Sequence, residues 1–186
     1  MSARISGGKQ RGHRIRSGRG SGLRPTSEKV RAAIFSILGP DLEGARVLDC
    51  YAGTGALGLE ALSRGAASAD FIEADDRGCR DIRQALRELG MEEHGRVYKG
   101  KVERTVGRMT GRYDIVFADP PYDDDPWDEL LTRFGYDGLL NEGATVVAEH
   151  RNKRVLNDRY GRLGVSSRRK YGDTAVTFFR WDGKDG

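Results

Sequence analysis

The sequence predicts an α/β fold built on a largely parallel sheet, and three stretches predict it. Arg46 to Cys50 is a short apolar run that breaks into glycines and resumes with helical spacing at Leu57-Gly58-Leu59-Glu60-Ala61-Leu62. Ala69 to Asp75 is a second short apolar run, and it ends in acid. Ile115-Val116-Phe117 is a third, closed by Asp119-Pro120-Pro121-Tyr122. Apolar runs of this kind, alternating with helical spacing, read as strands buried on both faces. A strand, a tight glycine turn and a helix start form the first half of a βαβ unit.

The composition allows one sizeable core. With 186 residues and 37% hydrophobic content, the chain predicts one main domain with a modest appendage. No apolar run approaches the roughly 20 residues of a membrane span. The basic N-terminus lacks the apolar block of a signal peptide, so a cytoplasmic location is expected. Cys50 at a strand end and Cys79 in a helical pattern do not make a disulfide framework and read as reduced thiols. His13, His94 and His150 share no ligand spacing, and no metal is expected.

Charge is distributed unevenly. Residues 1–31 hold nine basic groups against Glu28 alone, and residues 151–170 hold eight against Asp158, whereas residues 32–150 hold 13 basic and 23 acidic groups. An acidic body with two basic ends is the footprint of a protein that places a polyanion over one face.

Taken in order, residues 1–24 predict a basic arm. Ile5 and Ile15 flank a Gly7-Gly8 turn signal, which allows a short hairpin, and a glycine–serine stretch follows. The main domain is predicted over 25–182, with 183–186 a disordered tail. Pro25 precedes an N-cap at Thr26 or Ser27, and Val30, Ala33, Ile34, Ile37 and Leu38 form the apolar stripe of a helix ending at Gly39-Pro40. That helix is expected to present Arg24, Lys29 and Arg31 near the surface. Arg77 to Leu89 predicts a charged helix with Ile82, Ala85, Leu86 and Leu89 inward, Gly95 to Lys99 a thin third strand, and Lys101 to Met109 a helix. Ala144 to Glu149 is a further buried strand, and Leu163–Tyr171 with Thr174–Trp181 a closing hairpin around Gly172-Asp173.

The glycine loop carries the first chemistry. Gly53-x-Gly55-x-x-Gly58 satisfies the dinucleotide pattern, but Asp49 at the mouth of the strand would repel a pyrophosphate. It suits a ligand with an ammonium group and no phosphate, such as the methionine moiety of S-adenosylmethionine. Glu73 ends the next strand at the distance expected of the carboxylate that binds a ribose 2′,3′-diol.

The second chemistry lies in Asp119-Pro120-Pro121-Tyr122, at the strand end where open α/β sheets bind ligands. Consecutive prolines fix φ and donate no N–H. A carboxylate and a carbonyl held in one plane beside an aromatic face form a receptor for a flat amine on a nucleobase.

These motifs together resemble a known family. Val47-Leu48-Asp49-x-x-Ala52-Gly53-Thr54-Gly55-Ala56-Leu57-Gly58-Leu59-Glu60-Ala61-Leu62-Ser63-Arg64-Gly65-Ala66, with Asp119-Pro120-Pro121-Tyr122, is similar to the bacterial 16S rRNA guanine-N2 methyltransferases of the RsmD type. Arg4-Ile5-x-Gly7-Gly8, Arg24-Pro25-Thr26 and Tyr171-Gly172-Asp173-Thr174 match as well. Gln84 and Lys101 depart from the pattern, and Lys101 leaves adenine recognition to backbone groups around 100–102. The resemblance implies a class I S-adenosylmethionine-dependent methyltransferase fold, Rossmann-like, with a seven-stranded sheet parallel except for one strand and a small basic N-terminal extension. It implies a catalytic set of Asp119, Pro120, Pro121 and Tyr122. The cofactor set is Asp49, Tyr51, Ala52, Gly53, Thr54, Gly55, Gly58, Glu73, Ala74, Lys101, Val102 and Asp119. Arg4, Lys9, Arg11, Arg14, Arg16, Arg24, Thr26, Arg168 and Arg169 are expected to hold RNA. The expected partner is 16S rRNA, in the small ribosomal subunit or an assembly intermediate, with the protein a monomer.

Other readings stay open at this point. A nicotinamide dehydrogenase needs a hydride-handling His or Tyr–Lys pair, and none is placed for it. A non-catalytic RNA-binding module has no need of Asp119-Pro120-Pro121-Tyr122. Adenine or cytosine amino groups in nucleic acid and glutamine amides in protein compete with guanine, because the tetrapeptide accommodates any planar NH2.

Overall fold

The computed structural model describes residues 3–15, 27–121, 123–136 and 138–182. The expectations for Arg16, Arg24, Thr26, Tyr122 and the tail 183–186 lie outside the described residues.

A two-stranded antiparallel sheet comes first, β1 (Ala3–Arg4) and β2 (Arg14–Ile15), with Ala3 opposite Ile15 and Arg4 opposite Arg14. The main sheet holds β3 (Arg46–Cys50), β4 (Ser68–Glu73), β5 (Gly95–Lys99), β6 (Tyr113–Ala118), β7 (Leu140–Arg151), β8 (Arg159–Tyr160), β9 (Leu163–Tyr171) and β10 (Thr174–Trp181). Its order is β5-β4-β3-β6-β7-β10-β9-β8. Strands β5, β4, β3, β6 and β7 run parallel, and β10 enters antiparallel between β7 and β9. These seven strands form the predicted sheet. The two-residue β8 adds an eighth at the edge, where Arg159 pairs Gly164 across a tight turn.

Residues alternate between two cores as the pleat requires. Val47, Phe71, Ile115, Phe117 and Val147 face one side, packed by α1 (Glu28–Leu38), α2 (Ala56–Ser63) and α3 (Asp76–Glu88). Leu48, Ile72, Val116, Val146 and Ala148 face the other, packed by α4 (Val102–Thr105) and α5 (Trp127–Tyr136).

Several expectations are corrected. Helix α1 starts at an N-cap formed by Ser27, whose hydroxyl accepts the Val30 N–H, but its inward stripe is Val30, Arg31, Ile34, Phe35 and Leu38. Ile37 is 43% exposed. The stripe is rotated because Arg31 turns inward to an ion pair rather than outward to solvent. The helix expected over Lys101 to Met109 is shorter: α4 gives way to a 3-10 turn at Val106–Arg108. Strand β7 is longer than the expected 144–149, and three residues bulge where Tyr113 pairs Leu140 but Ile115 pairs Thr145.

That ion pair is the hub of the N-terminal side. Glu60 is fully buried in α2 and takes the Arg31 Nε at 3.2 Å, the Arg64 Nη2 at 2.9 Å and the Ser6 N–H at 3.0 Å. One carboxylate therefore ties together α1, α2 and the turn between β1 and β2. Next to it, the Ser63 hydroxyl donates to the Gly7 carbonyl at 2.6 Å and its carbonyl accepts the Lys9 N–H at 2.8 Å. A Cβ on Gly8, at φ +79°, would meet the Ser63 carbonyl oxygen at 1.8 Å, so only glycine lets the turn lie on the helix. Ile5 and Ile15, each 1% exposed, complete the docking. Removing one partner of a buried ion network leaves the others uncompensated, at about 3–5 kcal/mol. Glu60→Ala is expected to lower the melting temperature by roughly 10 °C, read by calorimetry.

Candidate active site

Parallel pairing sets the site at one sheet edge. Cys50 pairs both Ile72 and Ala118, Glu73 pairs Lys99, and Ala118 pairs Ala148. Tyr51, Glu73 and Asp119 therefore leave or end three neighbouring strands at their carboxyl ends, and Glu149 lies at the same level in β7, two residues before its end; ligands bind at this edge in open α/β sheets.

Asp49, 2% exposed, lies beneath the glycine loop, and its Oδ2 accepts the Gly58 N–H at 2.8 Å. Burial raises its pKa from an ordinary 3.8 to about 8; the Gly58 bond opposes that rise, and the charges of Asp119 and Glu73 add to it. The Glu73 Oε2 accepts the Gly53 N–H at 2.6 Å, and its Oε1 accepts the Asp75 N–H at 2.8 Å. This carboxylate holds the loop to the next strand. A Cβ on Gly58 would meet the Phe71 ring at 2.3 Å, so the helix approaches the sheet only through that glycine. Gly53 and Gly55 have φ of +56° and +75°, and Gly55 begins α2.

Tyr51 is the described non-glycine residue with positive φ, at 58°. Its hydroxyl donates to Glu103 Oε1 at 2.7 Å, linking the β3 end to α4. Burial, then this bond, push the phenol well above its usual range. Ala52 is buried and gives its N–H to the Ile72 carbonyl at 2.9 Å. Thr54 is half-buried, Ala74 and Lys101 are exposed, and Val102 is 2% exposed in the core under α4. The Gly100 N–H donates to the Glu73 carbonyl at 3.0 Å, which brings the 100–102 backbone to the loop.

The residues present fit S-adenosylmethionine on two observations. The loop offers a glycine backbone against which a ligand can lie. Beside it, mutually repelling carboxylates at Asp49, Glu73 and Asp119 stabilise a cation and disfavour a phosphate.

Asp119 and Pro121 are half-buried and Pro120 is buried, directly after β6. The Pro121 carbonyl accepts the Asp124 N–H at 2.9 Å, so it is engaged in the turn. Beyond it opens a cavity of about 320 Å³ lined by Pro120, Pro121, Trp127, Glu149, His150 and Arg151, among others. His150 is 5% exposed and held from both ring nitrogens, by the Arg151 carbonyl at 2.9 Å and the Thr177 hydroxyl at 2.9 Å. Its pKa is lowered, mainly by burial. The Glu149 and Glu103 positions were not read from the sequence as site residues. For Glu149 a signal existed: strands β3, β4 and β6 each end at or beside an acid, and the apolar run before Glu149 repeats that pattern.

The expected RNA contacts divide. Arg4, Lys9, Arg11 and Arg14 are all exposed on the docked hairpin. Arg31, expected nearby on the surface, is 1% exposed and donates to the Arg4 carbonyl as well as pairing Glu60. Arg168 and Arg169 pair Thr177 and Val176, on opposite faces of the sheet. Arg168 is drawn to Asp158 at 2.9 Å and to the Leu156 carbonyl at 2.9 Å.

The fold is that of the class I methyltransferases, and the residues at this edge fit S-adenosylmethionine. Comparison with known proteins agrees. The family described as Conserved hypothetical protein 95 matches residues 3–180. YlbH of Bacillus subtilis (strain 168), named provisionally as an rRNA methyltransferase, is 34% identical over 181 residues, covering 95% of this chain and 98% of its own. Ribosomal RNA small subunit methyltransferase D of Escherichia coli (strain K12) is 36% identical over 146 residues, covering 78% of this chain and 73% of its own. The solved structure of YhhF from Escherichia coli, described provisionally as a methyltransferase, superimposes with a TM-score of 0.85 at 31% identity, covering 98% and 99% of the two chains. The chain belongs to this RsmD-type family of rRNA methyltransferases.

Proposed function

We propose that this enzyme methylates the exocyclic 2-amino group of a guanine in 16S rRNA, within the small subunit or an assembly intermediate. The observation that carries the reading is the acidic strand edge from which Asp119-Pro120-Pro121 leads to a cavity of about 320 Å³ lined by Pro120, Pro121 and Glu149. The names of the relatives support a ribosomal RNA as substrate, and that of the Escherichia coli relative supports the small subunit. The enzyme is read as a cytoplasmic monomer, and among the described residues no helix is long and apolar enough to cross a membrane.

Asp49, the 53–55 backbone, Glu73 and the 100–102 backbone would hold the cofactor. When bound, it supplies an electrophilic methyl group that forms the N–C bond as the C–S bond breaks. The guanine 2-amino lone pair is delocalised into the ring and is a poor nucleophile. The Asp119 carboxylate and the Pro120 carbonyl accept its two N–H groups and draw the nitrogen towards a pyramidal geometry. Tyr122 is the residue read as the stacking partner of the base, a contact worth on the order of 1–3 kcal/mol. Once methylated, the nitrogen is acidic and gives its proton to Asp119 or water, so no tuned base is required. Holding two partners in place supplies roughly 7–11 kcal/mol in favourable cases. A base reaches such a pocket only outside its stack, which favours a loop or bulge as target.

The arm over residues 1–24 is read as the phosphate grip, through Arg4, Lys9, Arg11, Arg14, Arg16 and Arg24, with Thr26 just after it and Arg169 from β9 as further contacts. Substituting Lys9, Arg11 and Arg14 together with alanine is expected to flatten the salt dependence of RNA binding. The slope of log K against log salt should fall by about 2. Fluorescence anisotropy at several salt concentrations measures it, and cofactor binding should not change. The reading as a whole is tested by mass analysis of 16S rRNA digests from cells with and without the gene. One N2-methylguanosine should disappear with the gene; an unchanged digest contradicts the reading.

A further inference from the structure

One buried carboxylate at the acceptor end has no part in the mechanism above. Glu149 is 5% exposed, sits in β7 opposite Val176, and lines the cavity of about 320 Å³ beside Pro120 and Pro121. We propose that Glu149 selects guanine by accepting its N1–H while Asp119 holds the adjacent 2-amino group. The inference rests on the guanine reading and names the residue that enforces it.

The register places the two acids side by side. Ala118 pairs Ala148 in parallel strands, so Asp119 and Glu149 are the next residues on neighbouring strands, on the sheet face of Phe117 and Val147. Guanine carries its N1–H and N2–H donors side by side on one edge, and two neighbouring carboxylates meet such a pair. A carboxylate only accepts hydrogen bonds. Adenine at N1 and cytosine at N3 present lone pairs, which a buried acceptor repels and leaves unpaired. Sites built this way reject a mismatched analogue by about 10⁴-fold in the strongest cases. His150, the next residue of β7, turns to the opposite sheet face, where it is held through both ring nitrogens and meets the edge of Trp127 at 5.9 Å, so it does not supply that discrimination. A flipped base is read on its Watson–Crick edge in other enzymes that act on extruded nucleotides.

The test uses small-subunit RNA in which the target guanine, located by mass analysis, is replaced by 2-aminopurine. This base keeps the 2-amino group and carries a lone pair at N1. With the wild-type enzyme, kcat/KM on 2-aminopurine should fall at least a hundredfold below guanine. Glu149→Gln, whose amide can donate to that lone pair, should shrink the guanine-to-2-aminopurine ratio at least tenfold. S-adenosylhomocysteine affinity and melting temperature should stay as in wild type. Equal rates of wild-type methylation on the two bases overturn the proposal without any variant, as does an unchanged ratio in folded Glu149→Gln. A wild-type enzyme that leaves guanine N2 unmodified brings down the guanine reading itself, which separates the two failures.

Discussion

Asp119→Ala is expected to lower kcat about a thousandfold while leaving S-adenosylhomocysteine affinity within about threefold of wild type. The asymmetry follows from where the side chain stands. Asp119 leaves β6 beside Cys50 of β3, and its charge reaches Asp49, but the cofactor loop is held by other bonds. Glu73 secures the Gly53 N–H and Asp49 secures the Gly58 N–H, and neither bond involves Asp119. What the variant loses is the acceptor that orients the amine and takes its proton. Single-turnover methyl transfer alongside calorimetric titration separates the two effects. Asp119→Asn should lie between, because the amide keeps one acceptor but loses the charge.

Cofactor binding should depend on pH through Asp49. Its carboxyl, raised to about 8, is protonated in the free protein at neutral pH and must ionise to hold an ammonium group. Binding therefore releases close to one proton at pH 7, and affinity rises with pH up to about 8. Between pH 8 and pH 6 the dissociation constant of S-adenosylhomocysteine should increase roughly 50-fold. The sign for stability is opposite. An unfolded chain ionises this group above about 4, so the free protein loses stability as the pH rises from about 4 to 8. Asp49→Asn should remove both trends and weaken binding by about 2 kcal/mol, the worth of a hydrogen bond to a charged partner. Titration in buffers of different ionisation enthalpy counts the released proton directly.

The sheet and the glycine loop were legible because they are local. A strand that ends in glycines, or in an acid, announces itself within ten residues, and the closing hairpin at Leu163–Tyr171 and Thr174–Trp181 was bounded to the residue. What local periodicity could not show were pairings between distant residues. Arg31 reads as a surface charge on α1, yet Glu60, far along the chain, draws it into the core and rotates the helix. The match of Gly7-Gly8 with Ser63-Arg64 was visible only as two separate motifs. In the structure they are the two sides of one contact. Tyr51 showed no sign of its left-handed backbone, since nothing in its neighbours required φ of 58°. Glu149 was passed over for a different reason. Its strand was recognised and its acid repeats the pattern of the earlier strands, but its level beside Asp119 depends on the β6–β7 register and bulge.

The central claim is that one pocket brings a sulfonium methyl to a flattened purine amine. Purified enzyme, methyl-labelled S-adenosylmethionine and small subunits lacking the modification test it most directly, with nucleoside analysis of the product. Label recovered in N2-methylguanosine from 16S rRNA, and absent with Asp119→Ala, is the result the account predicts. Label in another nucleoside or in protein, or undiminished transfer by the variant, would contradict it.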